Sequence, residues 1–348
     1  MAKIVHMRGD EFIEKLLNGE RDFAGIKLEE HFNLKKHKKY KMLQDYLLRS
    51  KLWEEPIVLD AADLRFLKAE DIYWPFTHAE FADFTGADLQ NANLFKACFT
   101  SSNFFEAQLR LANLRFAQLA GANFCGANLE KSNLRYALIE RVNFRNTKLS
   151  FCVFENARAC KCNFHAAELR KVNFSYANLA NANFESANIE SANFWDANLT
   201  TANLKDSIID FGNFKSADME GAIFESASLR ECNFQNANLK NANLKKCNLS
   251  KAILFNTNIE HANLENADLS NSNLIGANMK TANLRNANLK FAKLRNTDFS
   301  HADMLNVRNI ESCINLIYAN FNKTIISSDN HDLIQKFLTQ KTIFIVKE

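Results

Sequence analysis

The chain has 348 residues, with 43 Lys and Arg against 40 Asp and Glu, a formal net charge of +3, and only 2 Pro and 9 Gly. Its 47 % of hydrophobic residues exclude a disordered chain, because they are enough to bury a sizeable core. The near-neutral charge excludes a strongly basic nucleic-acid binder and a chain that imitates nucleic acid by bulk acidity alone.

Membrane insertion and export are not expected. No apolar run reaches the roughly 18 residues that a membrane-spanning helix needs. The first residues lack the apolar stretch and cleavage site of a secretory leader. The 8 cysteines then indicate a reducing compartment, and the predicted location is the cytoplasm.

The first segment, residues 1–56, is predicted to be a helical N-terminal flank. Residues 10–17 read as a short helix with Asp10 as its N-cap, and residues 38–53 read as a second helix. Between them, residues 22–28 resemble one isolated unit of the repeat described below and are expected to start the first coil.

A run of basic residues precedes the second helix. Five of the seven residues at 35–41 are Lys. Such a run attracts nucleic acid, an acidic protein or anionic lipid. Acidic residues lie on both flanks, so a solvated helix face or loop is the favoured interpretation.

An unbroken five-residue repeat follows. Stepping by five from Phe84 to Met304 gives 45 positions, and 44 of them hold Leu, Phe, Ile or Met, with Ala159 as the exception. Two residues before each position the side chain is small, and it is Ala in 31 cases. The residue between is Asn or Asp in 32 cases. This period fits short extended segments separated by turns, in which the large and the small residue both point inward.

A second period of twenty residues lies above the first. Two columns of Phe step by twenty, which predicts coils of four five-residue sides with like residues stacked in the interior. The columns differ by ten residues, so they are expected to face each other. They comprise Phe84, Phe104, Phe124, Phe144, Phe164 and Phe184, and Phe154, Phe174, Phe194, Phe214 and Phe234. The Asn residues between the inward positions are expected to hydrogen-bond along the same axis.

The repeat resembles the pentapeptide repeat family, whose consensus is A(D/N)LXX. It reads Ala177-Asn178-Leu179 and Ala182-Asn183-Phe184. The resemblance covers about residues 57–316 and implies an all-β fold, a right-handed quadrilateral parallel β-helix with short helical caps. About 13 coils at roughly 4.8 Å each predict a rod of about 60 Å.

The C-terminal flank, residues 317–348, departs from the repeat. Residues 319–321 match the consensus with a shift of two, which predicts a distorted last coil. Residues 329–339 read as a short helix and 343–346 as a closing strand. Some members of the family dimerise through this end, so the resemblance implies a possible homodimer.

Catalytic and metal chemistry find little support. Cys160, Cys162 and His165 have a metal-like spacing, but the repeat turns Cys162 inward and the other two outward, so they cannot converge on one ion. No phosphate-binding loop or nucleophile elbow occurs. We therefore predict that the chain is not an enzyme and binds no metal ion or cofactor.

One side of the coils carries outward aromatic and basic residues, the composition of interaction hot spots. This side is the predicted partner-binding site. The alternative is that residues 1–56 fold back and cover it, with Met42, Tyr46, Leu47 and Trp53. The candidate residues are Phe76, Phe95, Arg115, Phe116, Arg135, Tyr136, Tyr176 and Trp195.

The leading functional hypothesis is a non-enzymatic scaffold that binds another protein. The alternative, implied by the resemblance, is a mimic of duplex DNA that inhibits a type II topoisomerase such as DNA gyrase, of the quinolone-resistance type. Residues 57–314 hold 27 basic and 27 acidic residues, so no acidic surface of that kind is expected. A secreted effector and a regulator in photosynthetic bacteria, also seen in the family, stay open.

Overall fold

The computed structural model describes residues 5–316, 318–328, 330, 334 and 344–345, and the chain divides into two compact units, Met1–Asn173 and Phe174–Glu348. No helix among these described residues is long and apolar enough to cross a bilayer. The first unit contains β1 (Val5–Met7), α1 (Gly9–Leu17), β2 (Ile26–Leu28) and α2 (Tyr40–Arg49). The second contains β3 (Asp303–Met304), a 3-10 helix (Ile310–Ser312), β4 (Ile325–Ile326) and β5 (Phe344–Ile345).

In the first unit, most of the chain is a ladder of single parallel bridges. Asp83 pairs with Asn103, Asn103 with Asn123, and Asn123 with Asn143, so each step is one coil of twenty residues. Bridges recur every fifth residue along the chain, which gives each coil four bridging positions. The predicted twenty-residue coil is confirmed within this unit.

The core of the first unit is the interior of these coils. Large and small inward residues alternate with exposed turns, and inward residues such as Phe104 and Ala107 are fully buried. Phe84, Phe104 and Phe124 stack with ring centroids 4.8 and 4.6 Å apart and nearly parallel planes. Phe144 meets Phe154 edge to face at 6.0 Å, so the two Phe columns face each other as predicted.

The abundance of Asn at the bridging position has a local cause. The side-chain oxygen of Asn123 accepts a hydrogen bond from the backbone N–H of Cys125, which holds the following turn. The Asn123 amide also donates to Asn103 at 2.9 Å and receives one from Asn143 at 2.9 Å. Asn123 therefore stabilises its own turn and links three coils.

We expect Asn123→Ala to lower the free energy of unfolding by about 1–2 kcal/mol, because the turn N–H and two neighbouring amides lose a partner. Urea denaturation followed by circular dichroism measures this. Leu138 occupies an equivalent bridging position without an amide, so Leu138→Ala is the matched control and should change stability less. An equal loss in the two variants would contradict the role of the amide.

Residues 22–34 form the first coil, as the sequence predicted for its start. Three bridges join it to the next coil, Asp22 to Val58, Lys27 to Asp63 and Asn33 to Lys68. The paired residues are more than twenty positions apart in the sequence, because α2 is inserted between the first coil and the second. Tyr40 and Gln44 of α2 bond to the next coil instead, with Tyr40 donating to the Glu70 carbonyl and Gln44 accepting from the Tyr73 N–H. α2 thus takes the place of the fourth side.

α1 closes the N-terminal end of the first unit. Phe12 is fully buried, with its ring 4.8 Å from Phe23 and 6.4 Å from Trp74. The prediction that Asp10 is the N-cap is wrong, because the helix begins at Gly9 and Arg8 takes the cap position without a side-chain bond. Asp10 lies in the first turn, where its charge still complements the helix dipole.

The second unit repeats the same coil. Phe194, Phe214 and Phe234 stack at 4.8 and 5.0 Å. At the C-terminal end the register slips as predicted, since Lys293 bridges Ile314 and Asp298 bridges Asn320. β4 pairs in parallel with β3 and with β5, which lies in the predicted closing strand. The predicted helix at 329–339 lies outside the described residues except for Asn330 and Ile334, whose backbone is helical.

Candidate interaction surface

The turns position the outward side chains. Every five-residue side ends in a two-residue turn, and its second residue adopts a left-handed backbone, with φ of 58° at both Phe116 and Tyr136. This conformation costs a residue with a side chain about 1–2 kcal/mol. The cost is offset because the turn N–H bonds to the next coil, as Phe116 does to the Arg135 carbonyl at 3.0 Å. Side chains at these positions therefore line up from coil to coil.

Four aromatic side chains of the first unit form one continuous row, which we call the aromatic strip: Phe76, Phe95, Phe116 and Tyr136. Phe76 and Phe95 meet edge to face at 5.7 Å, and so do Phe95 and Phe116. Phe116 and Tyr136 stack at 4.8 Å with planes 8° apart. Phe116 is 37 % exposed and Tyr136 42 %, whereas the other two are half-buried.

Cations lie against the aromatic strip. The Lys96 ammonium is 5.8 Å from the Phe76 ring centroid and 5.5 Å from that of Phe95. The Arg115 guanidinium is 5.7 Å from the Phe116 ring. At these distances a cation is attracted by the ring. Lys96 and Arg115 have no carboxylate partner within ion-pair distance among the described residues.

Arg135, a third predicted site residue, is held differently. Its Nε and Nη2 atoms donate to one Glu155 carboxylate oxygen at 3.0 and 2.7 Å. The Arg135 charge is therefore neutralised within the unit. Arg135 lies beside the aromatic strip but is not an unpaired cation.

Tyr176 and Trp195, the remaining predicted site residues, belong to the second unit. Their ring centroids lie 5.0 Å apart with planes tilted by 56°. Tyr176 is 42 % exposed and Trp195 is 41 % exposed. They form an exposed aromatic pair of their own.

The described part of residues 1–56 does not cover the aromatic strip, so the alternative of an internal cover is wrong. Leu47 lies on the buried face of α2, and the Tyr46 hydroxyl accepts a hydrogen bond from Arg21 at 2.9 Å. Met42 and Trp53 are 50 % and 61 % exposed. All four residues lie at the N-terminal end, because α2 replaces a side of the first coil there.

Sequence reasoning missed a second kind of exposed aromatic site. Phe151 is 49 % exposed, and the ammonium groups of Lys131 and Lys171 lie 5.9 and 5.7 Å from its ring. Phe151 occupies the same left-handed turn position as Phe116. An apolar residue at that position of the repeat is the signal that would have found it.

The cysteines at inward positions behave as small core residues that also donate a hydrogen bond. Cys162 donates to the Ile139 carbonyl at 2.7 Å and Cys247 to the Phe224 carbonyl at 2.7 Å. Cys162 is almost fully buried, so it lies inward as predicted. In the part of the chain that the structure describes, no group of three or more His, Cys, Asp or Glu side chains is placed to hold a metal ion.

Burial raises the pKa of Cys152 and of Cys247 to about 12, because the thiolate would lose its hydration. We therefore expect both thiols to resist maleimide in the native protein at pH 7.5, while the half-buried Cys125 reacts. Mass spectrometry of the labelled peptides measures this, and denatured protein is the control. Fast native labelling of Cys152 would contradict the closed interior.

Similarity to known proteins is strongest in the repeat. A profile of the family described as pentapeptide repeats matches overlapping segments that together span residues 76–206 and 213–307. Comparison with curated protein sequences gives no match.

Three solved structures illustrate the structural similarity. HetL, a pentapeptide repeat protein involved in heterocyst differentiation regulation from the cyanobacterium Nostoc sp. strain PCC 7120, is 23 % identical over 92 % of this chain and 98 % of its own, with a TM-score of 0.30. QnrB1, a plasmid-mediated fluoroquinolone resistance protein, is 18 % identical over 64 % of this chain and 97 % of its own, with a TM-score of 0.34. Rfr23 from the cyanobacterium Cyanothece 51142, also a pentapeptide repeat protein, is 27 % identical over 33 % of this chain and 89 % of its own, with a TM-score of 0.26.

These TM-scores are too low to carry an argument, so the assignment depends on the repeat itself. The five-residue pattern, the twenty-residue bridges and a profile match over well over half of the sequence agree. This chain belongs to the pentapeptide repeat family.

Proposed function

We propose that this chain is a non-enzymatic scaffold, a right-handed four-sided parallel β-helix, that binds a partner protein through the aromatic strip. The observation that carries the proposal is the unbroken contact of four rings, two of them more than one-third exposed. Aromatic and Arg side chains grouped on a rigid surface are typical of interaction hot spots. A rigid coil also costs little entropy on binding.

The ring geometry favours a protein over single-stranded nucleic acid. Bases bind such surfaces by stacking on ring faces. In the aromatic strip, Phe116 and Tyr136 turn faces toward each other, and Phe95 is engaged edge to face with both Phe76 and Phe116. The exposed ring edges suit apolar side chains, and Lys96 and Arg115 suit a carboxylate beside them.

The interior supports the non-enzymatic part of the proposal. Inward residues such as Leu94, Leu114 and Leu134 behind the aromatic strip are fully buried. A core filled by such side chains is not expected to bind a small substrate. The strip itself carries rings and cations but no nucleophile with an adjacent base.

Affinity capture from native lysate with quantitative mass spectrometry tests the proposal. We expect Phe116→Ser combined with Tyr136→Ser to weaken capture of a specific protein at least tenfold, since each ring is a candidate hot spot. The matched control combines Phe211→Ser with Phe291→Ser, two turn-position rings that are 47 % and 45 % exposed in the second unit. A partner retained by the strip variant but lost by the control would refute the site.

Inhibition of a type II topoisomerase is the alternative function that we consider. The described charges do not favour it, because several acidic groups pair with a cation of the neighbouring coil. Arg158 pairs with Glu140 at 2.8 Å, and Lys251 pairs with Glu231 at 3.0 Å. A gyrase supercoiling assay at micromolar protein would decide, and inhibition would replace the scaffold proposal.

Two further features belong to the same proposal. We propose a cytoplasmic location, because 8 free cysteines are typical of a protein in a reducing compartment. A homodimer through the C-terminal end is a second interface, and light scattering after size-exclusion chromatography measures it. A monomer at all concentrations would remove the dimer without affecting the aromatic strip.

A further inference from the structure

Positive charge is concentrated at the N-terminal end of the first unit. Residues 35–53 contain seven Lys and Arg against the single acidic residue Asp45, whereas the whole chain has a net charge of only +3. The rest of the chain is therefore slightly acidic in sum, and this segment is one of its most basic stretches.

The structure separates the neutralised cations from the others. Lys35 pairs with Glu70 and Asp71, both at 2.7 Å, and Lys39 pairs with Glu14. Lys51 pairs with Glu54 at 3.3 Å. The remaining four have no carboxylate partner among the described residues and are all exposed: Lys36, Lys38, Lys41 and Arg49.

α2 presents apolar side chains beside these cations. Its Leu43 and Leu47 are buried against the first unit. At 100° per residue, the exposed residues of α2 then share the opposite face. Met42 is 50 % exposed and Leu48 58 %, and just beyond the helix Trp53 is 61 % exposed. Met42 also lines a shallow depression with Lys38 and Arg49.

We propose that the outer face of α2, with Lys38 and Trp53, is a peripheral binding site for an anionic lipid surface. Lysine and arginine bind anionic headgroups, while exposed Met, Leu and Trp enter the boundary between headgroups and acyl chains. Nucleic acid would use the cations and the Trp53 ring but leave Met42 and Leu48 without a role. This site lies at the N-terminal end and does not depend on the aromatic strip.

Co-sedimentation of the full chain with vesicles tests the proposal. We expect binding to vesicles of 30 % phosphatidylserine in phosphatidylcholine, little binding to phosphatidylcholine alone, and loss of binding in 0.5 M NaCl. Each Lys near such a surface changes partitioning by roughly fivefold. Lys38→Glu with Lys41→Glu should therefore weaken binding about 25-fold or more, and Asp45→Asn should strengthen it.

The matched control is Lys148→Glu with Lys161→Glu, which changes the net charge equally at exposed positions of the coils. Trp53 supplies a second measurement, because its fluorescence should shift to the blue on phosphatidylserine vesicles and the shift should vanish in Trp53→Phe. Thermal melts verify that every variant folds.

Three results would overturn the proposal. The first is no binding to phosphatidylserine vesicles, and the second is equal weakening by the Lys148 and Lys161 control pair. The third is tighter binding to a short duplex DNA or RNA than to vesicles, since that would assign the cations to nucleic acid.

Discussion

Phe104→Ala is expected to lower the free energy of unfolding of the first unit by about 3–5 kcal/mol, the usual cost of removing a buried ring and leaving a cavity. Phe104 is fully buried, and its ring lies between those of Phe84 and Phe124 at 4.8 and 4.6 Å. The coils cannot collapse into the gap, because backbone hydrogen bonds fix their separation. Urea denaturation of the variant and the parent chain measures the loss.

The next residue in the chain gives a matched control. Phe105 has the same side chain but lies in the turn and is 38 % exposed. We expect Phe105→Ala to change the free energy of unfolding by less than about 1 kcal/mol. Equal losses at 104 and 105 would contradict the inward and outward assignment of the repeat.

Phe12→Ala is expected to open the N-terminal end of the first unit, at a cost of about 3–5 kcal/mol to the local stability of α1 and the first coils. The ring contacts Phe23 and Trp74, which are themselves fully buried. Removing it exposes the end of the core to water. In a chain that also carries Trp53→Phe and Trp195→Phe, increased quenching of Trp74 fluorescence by acrylamide measures the opening, together with faster amide exchange at residues 57–76.

Glu11→Ala is the control for this prediction. Glu11 lies on the exposed face of the same helix, so its removal tests helix effects without touching the end of the core. It should change stability by no more than about 0.5 kcal/mol. Unchanged Trp74 quenching in Phe12→Ala would show that α1 does not close the end of the coils.

The repeat made much of the fold predictable, because its information is local. Within each five-residue unit, the residue types indicate which side chains point inward, which residue forms the bridge and which residues form the turn. The same pattern recurs from Phe84 to Met304. A parallel bridge between like positions follows once the period of twenty is recognised. The sequence also predicted the Phe stacks, because Phe residues twenty positions apart lie directly above one another in adjacent coils.

The candidate site was only partly predictable. The sequence indicated that Phe76, Phe116 and Tyr136 point outward, because they share the turn position. It did not show that Phe95, one residue earlier in its turn, bridges the rings of Phe76 and Phe116. Nor did it show that Glu155 neutralises Arg135. Such contacts depend on side-chain conformation, which the period does not specify.

By itself the sequence determined the five-residue register, the inward and outward faces and the family. Only the tertiary structure decided that α2 replaces one side of the first coil, that Phe12 closes its end, and that Lys38 and Lys41 stay unpaired while Lys35 and Lys39 do not. The physical reason is the range of the interactions. In the repeat, each residue contacts residues at the same position of the adjacent coils, so the local pattern predicts its neighbours. The N-terminal flank packs against residues far away in the sequence, which no local pattern identifies.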